Sequence, residues 1–124
     1  MFSMMKKTVK EQLKSLVALN AAISEAGEEI QAIQKEINSY GYDETYISAL
    51  NELKQKIIFY RYQKVKICVS LYDKIEALEN EQEKRLFKYR YIRGYRWEVI
   101  AEKMGYSVRQ VFNIHKKTIY KIEE

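Results

Sequence analysis

The sequence predicts an all-α protein, in which a long antiparallel, coiled-coil-like helical hairpin is followed by a compact three-helix module. Three observations predict it. The 124 residues include no proline and only four glycines, so breaks between helices are confined to Gly27, Gly41, Gly94 and Gly105 if they occur at all. Apolar residues recur at alternating spacings of four and three over most of the first eighty positions. No alternation of period two, bounded by turn residues, stands out anywhere.

The first helix is read from Val9, Leu13, Leu16, Asn20, Ile23, Gly27, Ile30, Gln34 and Ile37. These form a heptad seam with three soft spots, at Asn20, Gly27 and Gln34. Gly27 is expected to be a tolerated weak point or a close-contact site in preference to a hinge. The run Asn38-Ser39-Tyr40-Gly41-Tyr42-Asp43 carries turn chemistry, which places the turn near residues 38–44 with Asp43 as N-cap of the next helix. A second seam follows through Tyr46 or Ile47, Leu50, Leu53, Ile57, Tyr60 or Arg61, Lys64, Ile67 or Cys68, Leu71, Ile75 and Leu78. A short loop between two long amphipathic helices favours an antiparallel pair. Residues 1–80 are therefore assigned to the hairpin and 81–124 to the second module. The hairpin can serve as a plain scaffold or as a docking stalk, and a homodimer through these helices stands open.

Bulk properties narrow the class. With 47% hydrophobic and 31% charged residues, the chain is neither disordered nor built for spanning a bilayer. Met1 to Lys7 holds two lysines without an apolar stretch behind them, so no secretion signal is expected. The lone Cys68 cannot form an internal disulfide and points to a reducing cytoplasm. A catalytic role is not expected. The chain has one histidine, no Gly-rich phosphate loop, no H-E-x-x-H and no cysteine cluster, so neither a metal nor another cofactor is expected.

The charge becomes informative once divided. Residues 1–84 carry 12 Lys/Arg against 13 Asp/Glu, a net of −1, whereas 85–122 carry 10 against 2, a net of +8. The net positive charge therefore lies in the last third, as in a localised polyanion-binding module.

That third divides at its glycines. Gly94 stops one helix as a left-handed C-terminal residue does. The next helix opens near Arg96 or Trp97 and places Trp97, Ile100, Ala101 and Met104 on one face. Met104-Gly105-Tyr106 is a tight turn, and Ser107 is an N-cap for the last helix. Helix, small residue at the crossing, Gly turn and capped helix together make the helix-turn-helix signature. Projected at 100° per residue, Val111, Ile114, Thr118 and Ile122 face the core, and His115 leans the same way as a packing residue. Arg109, Phe112, Asn113, Lys116 and Tyr120 lie opposite, flanked by Gln110, Lys117 and Lys121.

The outward groups suit duplex DNA. Arg109 can pair bidentately with guanine, Asn113 or Gln110 with adenine, and Phe112 can touch a thymine methyl. Lys116, Lys117 and Lys121 suit backbone phosphates, as do Arg93, Arg96 and Lys103, with Ser107 counted among them.

The stretch from about Glu81 to Ile122 resembles region four of bacterial sigma factors. More closely, it is similar to the carboxy-terminal domain of phage transcription activators of the ArpU and RinA type. The likeness rests on Tyr89-Arg90-Tyr91-Ile92-Arg93-Gly94, Trp97-Glu98-Val99-Ile100-Ala101, Gly105-Tyr106-Ser107, and Gln110-Val111 with Ile114-His115. The resemblance implies sequence-specific promoter binding that controls phage late or lytic genes in a bacterial cytoplasm, with RNA polymerase as a further partner to be considered. Matched position by position, it places Val108, Arg109, Phe112 and Asn113 at base-reading sites. Two other readings remain open: a small terminase subunit for DNA packaging, and a helical interaction or inhibitor protein whose basic face binds something other than DNA.

Overall fold

A computed structural model describes residues 7–122 of the chain. The first six residues, where much of the stretch without a secretion signal falls, and Glu123 and Glu124 lie outside the described residues. Among the described residues every regular element is helical: α1 (Val9–Tyr40), α2 (Glu44–Glu76), α3 (Glu81–Phe87), α4 (Trp97–Met104) and α5 (Val108–Ile122). The long helices α1 and α2 pack against each other, as the seams require. No helix is long and apolar enough to cross a membrane.

Local chemistry sets each boundary. Thr8 and Glu11 form a reciprocal capping box at the start of α1, with Thr8 N donating to Glu11 Oε1 at 2.9 Å and Glu11 N to Thr8 Oγ1 at 3.1 Å. Gly41, with φ +94°, ends the helix. Asp43 caps α2 as expected, its Oδ1 accepting from Thr45 N at 2.6 Å. Asn80 caps α3 by accepting from the backbone N–H groups of Gln82 and Glu83.

The described residues form two compact units, one of residues 7–17 with 67–122 and the other of residues 18–66. The division expected between residues 80 and 81 falls inside the first unit, because the start of α1 and the end of α2 share the core of the carboxy-terminal module. Leu13, Leu16, Leu71 and Ile75 are almost fully buried in one cluster with Leu86, Phe87, Ile100 and Val111. Gln12 Nε2 donates to Ser70 Oγ at 3.0 Å between these two segments.

In the second unit, Ala26, Leu50 and Leu53 are buried. The α1 seam departs here from its sequence reading. Gln34 is exposed, while Ala26 is buried and Ile33 half-buried. The inward stripe runs Asn20, Ile23, Ala26, Ile30, Ile33 and Ile37. Two successive spacings of three shift it by one residue, a local overwinding of the heptad pattern. A Cβ built on Gly27 would meet nothing within 4 Å, so Gly27 is a tolerated weak point and not a close-contact site. On α2, Ile58, Phe59, Tyr62 and Val65 are each about 60% exposed.

Candidate nucleic-acid interface

The carboxy-terminal module is built around a turn that periodicity did not reveal. After Phe87 the helix widens into a π-helical turn, Lys88–Ile92, closed by Arg93 N donating to Lys88 O at 2.9 Å. Gly94, with φ +77°, then ends the run, and Tyr95 N donates back to Tyr89 O at 3.0 Å. Glu76 at the end of α2 forms an ion pair with Lys88 in this turn.

The turn presents two residues of the Tyr-Arg-Tyr sequence to the rest of the module. The Arg90 guanidinium lies 4.2 Å from the centre of the Trp97 ring and donates through Nη1 to Tyr95 O at 3.2 Å. Burial lowers its pKa from the ordinary arginine value, against the raising influence of Tyr91 and Glu98. Tyr91 is buried, and its hydroxyl lies 2.6 Å from His115 Nε2. Burial pushes the Tyr91 phenol up to about 12.

His115 is the aromatic hinge pin of α5. It stacks on Phe87 at 5.2 Å and meets Trp97 edge-on at 5.1 Å. Burial first, and then the Arg90 charge, lower its pKa, so the imidazole is neutral at pH 7. This is the packing role expected of it, with a polar bond added.

The helix-turn-helix follows the expected order. Arg96 is the N-cap residue of α4, in extended conformation. Ile100 and Ala101 are buried, and Gly105 closes the helix with φ 72° and ψ 29°. Tyr106 N returns to Ala101 O at 2.9 Å, a Schellman-type closure. Ser107 caps α5, Gln110 N donating to its Oγ at 3.1 Å. Gln110 Oε1 in turn accepts from Ser107 N at 2.8 Å, which completes a capping box.

Along α5, Val111, Thr118 and Ile122 are buried. Thr118 is satisfied there by donating to Ile114 O at 2.7 Å. Arg109, Asn113, Lys116, Lys117 and Tyr120 are exposed, as the projection requires. Phe112 is 46% exposed, its ring meeting Trp97 edge-on at 5.1 Å. Val108 is half-buried and packs against the core cluster, and the Gln110 carboxamide oxygen is engaged by the cap.

Among the expected phosphate groups, Lys116 and Lys117 sit on the outer face of α5. Lys121 is held by the carboxylate of Glu83 at 2.9 and 3.0 Å. Glu83 is 6% exposed and comes from α3. Sequence projection of α5 alone could not place an acid there, since 38 residues separate the two. Arg93 lines a shallow crevice with Glu81, Lys84, Arg85 and Lys88, which groups it with the cations of α3. The Lys103 ammonium lies 5.2 Å from the centre of the Tyr95 ring, while Arg96 and Ser107 are exposed. Among the described residues, no group of three or more His, Cys, Asp or Glu side chains could hold a metal ion.

Sequence reasoning also missed Lys10 and Lys14. The fold brings these α1 residues beside His115 and Lys116, and their spacing of four around Leu13 was the available signal. No family model, curated protein or solved structure matches the chain.

Proposed function

We propose that the outer face of α5 reads duplex DNA in the major groove, and that the protein is a transcription regulator of the phage ArpU and RinA type. The observation that carries this reading is the composition of that face. A capped helix after a left-handed glycine turn exposes Arg109, Asn113, Lys116 and Lys117, and no acid lies between Glu102 and Glu123 in the sequence. Its N-terminal half holds the side chains that can form bidentate bonds with base edges, and its middle holds the ammoniums of Lys116 and Lys117, which suit backbone phosphates. The aromatic cluster of Phe87, Tyr91, Trp97 and His115 supports the reading by anchoring the opposite side of the helix, so the outward groups are preorganised.

Base reading falls on Arg109 and Asn113, with Phe112 available for a methyl contact. Val108 offers only its exposed edge, and Gln110 must leave its cap to reach a base. Phosphate contact falls first on Lys116 and Lys117, then on Arg93, Arg96, Lys103 and Ser107, and on Lys121 in competition with Glu83. A second copy is the partner this reading assigns to the hairpin, through exposed Ile58, Phe59, Tyr62 and Val65. RNA polymerase is the partner an activator requires.

A gel-shift series with the full chain and phage promoter fragments tests the central reading. A salt-sensitive shift that prefers particular fragments is expected. No shift on any duplex at low salt overturns it.

A further inference from the structure

We propose that Arg90 is a positioning residue for base reading: through Trp97 it holds the Phe112 ring against the C5-methyl group of a thymine, and so sets a preference for thymine at that place in the DNA site. Arg90 need touch no DNA itself, and its role rests on the DNA reading of α5 above.

Phe112 stands on the outward face of α5, with exposed Arg109 three residues before it and exposed Lys116 four residues after. Its ring is 46% exposed, so a large part of it is offered to whatever covers this face. Among the hydrogen-bonding edges of the major groove, the thymine C5-methyl is the apolar group. An apolar ring between Arg109 and Lys116 is matched to that methyl.

A phenylalanine on a helix surface is ordinarily free to change rotamer, and immobilising such a side chain on binding subtracts from affinity. Here the ring is already placed. Phe112 and Trp97 have ring centres 5.1 Å apart and planes at 77°. His115, one turn further along α5, meets the same indole at 5.1 Å and 84°. The Arg90 guanidinium covers that indole, 4.2 Å from the ring centre, and is tied to Tyr95 O through Nη1 at 3.2 Å. A continuous line of contact therefore runs from the π-helical turn through Arg90 and Trp97 to Phe112.

The role calls for arginine in particular. Its Nε is buried and meets no acceptor among the described residues, and a buried donor without an acceptor costs stability. Hydrogen bonding therefore accounts for only part of its presence. The planar guanidinium stacks on an aromatic face, whereas a lysine ammonium is a point charge with no plane to lay on the indole.

The test uses the full chain and duplexes that differ only by one methyl group: the preferred fragment of the gel-shift series, with each thymine in turn replaced by deoxyuridine. For the wild type, uracil at one position should weaken binding about fourfold, the worth of one buried methyl-sized group. Phe112→Ser should erase that difference. Arg90→Lys, which keeps the positive charge, should bring it below about twofold, whereas a purely structural role would weaken thymine and uracil duplexes by the same factor. Trp97→Phe reaches the same link by a second route and should narrow the gap in the same direction. Trp97 is the only tryptophan in the chain, so its fluorescence follows the ring without DNA. Acrylamide should quench it more strongly in Arg90→Lys than in the wild type, with an unchanged far-ultraviolet spectrum.

A duplex that shifts but is indifferent to uracil at every position overturns the thymine contact, as does a full uracil penalty in Phe112→Ser. A full penalty in Arg90→Lys or Trp97→Phe, or unchanged quenching in Arg90→Lys, overturns the positioning role. Absence of a shift on any duplex refutes the DNA reading and the thymine preference together, and is distinct from a shift without sensitivity to uracil.

Discussion

Replacing Tyr91 by phenylalanine removes one oxygen atom from the interior of the carboxy-terminal module and little else. The ring is 5% exposed and lies 5.2 Å from Phe87, so phenylalanine fills the same space in the same rotamer. What disappears is the hydroxyl 2.6 Å from His115 Nε2. A hydrogen bond of this kind is worth about 0.5–1.5 kcal/mol net, and a fully buried orphaned partner costs about 1–3 kcal/mol. His115 is only half-buried, so water can meet part of its need, and the expected loss is about 1–2 kcal/mol. For a chain of this length 1 kcal/mol moves the melting temperature by about 3–5 °C. Thermal unfolding followed by circular dichroism at pH 7.5 should show Tyr91→Phe melting roughly 3–10 °C below the wild type. A melting temperature within 1 °C of the wild type would refute the reasoning, because it would mean that the hydroxyl bond does not anchor α5.

Stability should also depend on pH through His115. Its folded pKa lies below the ordinary value of 6.5, so the unfolded chain takes up the proton first. The stability this residue contributes is full above about pH 6.5 and is lost as pH falls toward the folded pKa; melting curves at pH 7.5 and 5.0 for wild type and His115→Phe should show a smaller pH-dependent loss in the variant. Arg109→Ala should cost about 1–3 kcal/mol of DNA affinity on the preferred fragment and narrow the gap to other fragments. Lys117→Ala should weaken all fragments alike and reduce the salt slope by about one; identical behaviour of these two variants in gel shifts would show that base and phosphate roles are misassigned. Gly27→Ala should stabilise the chain by about 0.5–1 kcal/mol, since the added methyl meets nothing within 4 Å, and a lower melting temperature would contradict that open surround.

The features legible in the sequence are those whose cause is local. Asp43, Gly94, Gly105 and Ser107 each act within a few residues, through a cap or a left-handed backbone, and each was readable as such. The outward set on α5 was legible for the same reason, since one helical period decides which side chains lie opposite Val111 and Thr118. The α1 seam was legible only as far as Ile23. Beyond it, Gly27 with Gln34 and Ala26 with Ile33 both satisfy spacings of three and four, and a glycine carries no side chain to break the tie. Contacts made by distant segments were not legible. Nothing near Lys121 announces Glu83, and nothing near Lys116 announces Lys10 or Lys14. The Ser107–Gln110 box stands in the sequence as S-x-x-Q, but an amide on the outward side of α5 suits an adenine edge equally well, and only the fold shows its oxygen engaged by the cap.

The π-helical turn has a consequence for how this chain tolerates changes of length. An α-helix turns by 100° per residue, and the widened turn at Lys88–Ile92 accommodates one residue more than an α-helical path would. Deleting one residue there lets the ladder close as ordinary α-helix and leaves Gly94 and everything beyond it in nearly the same register, whereas adding one more rotates them by about 100°. After such an insertion the Arg90 guanidinium would leave Trp97, and Gly94 would no longer meet the left-handed position. By contrast, the three-residue connection at Gly41–Asp43 lies on the surface, and an extra residue there adds only loop entropy. Single-residue insertions across 88–92 should therefore be more damaging than insertions between residues 41 and 43.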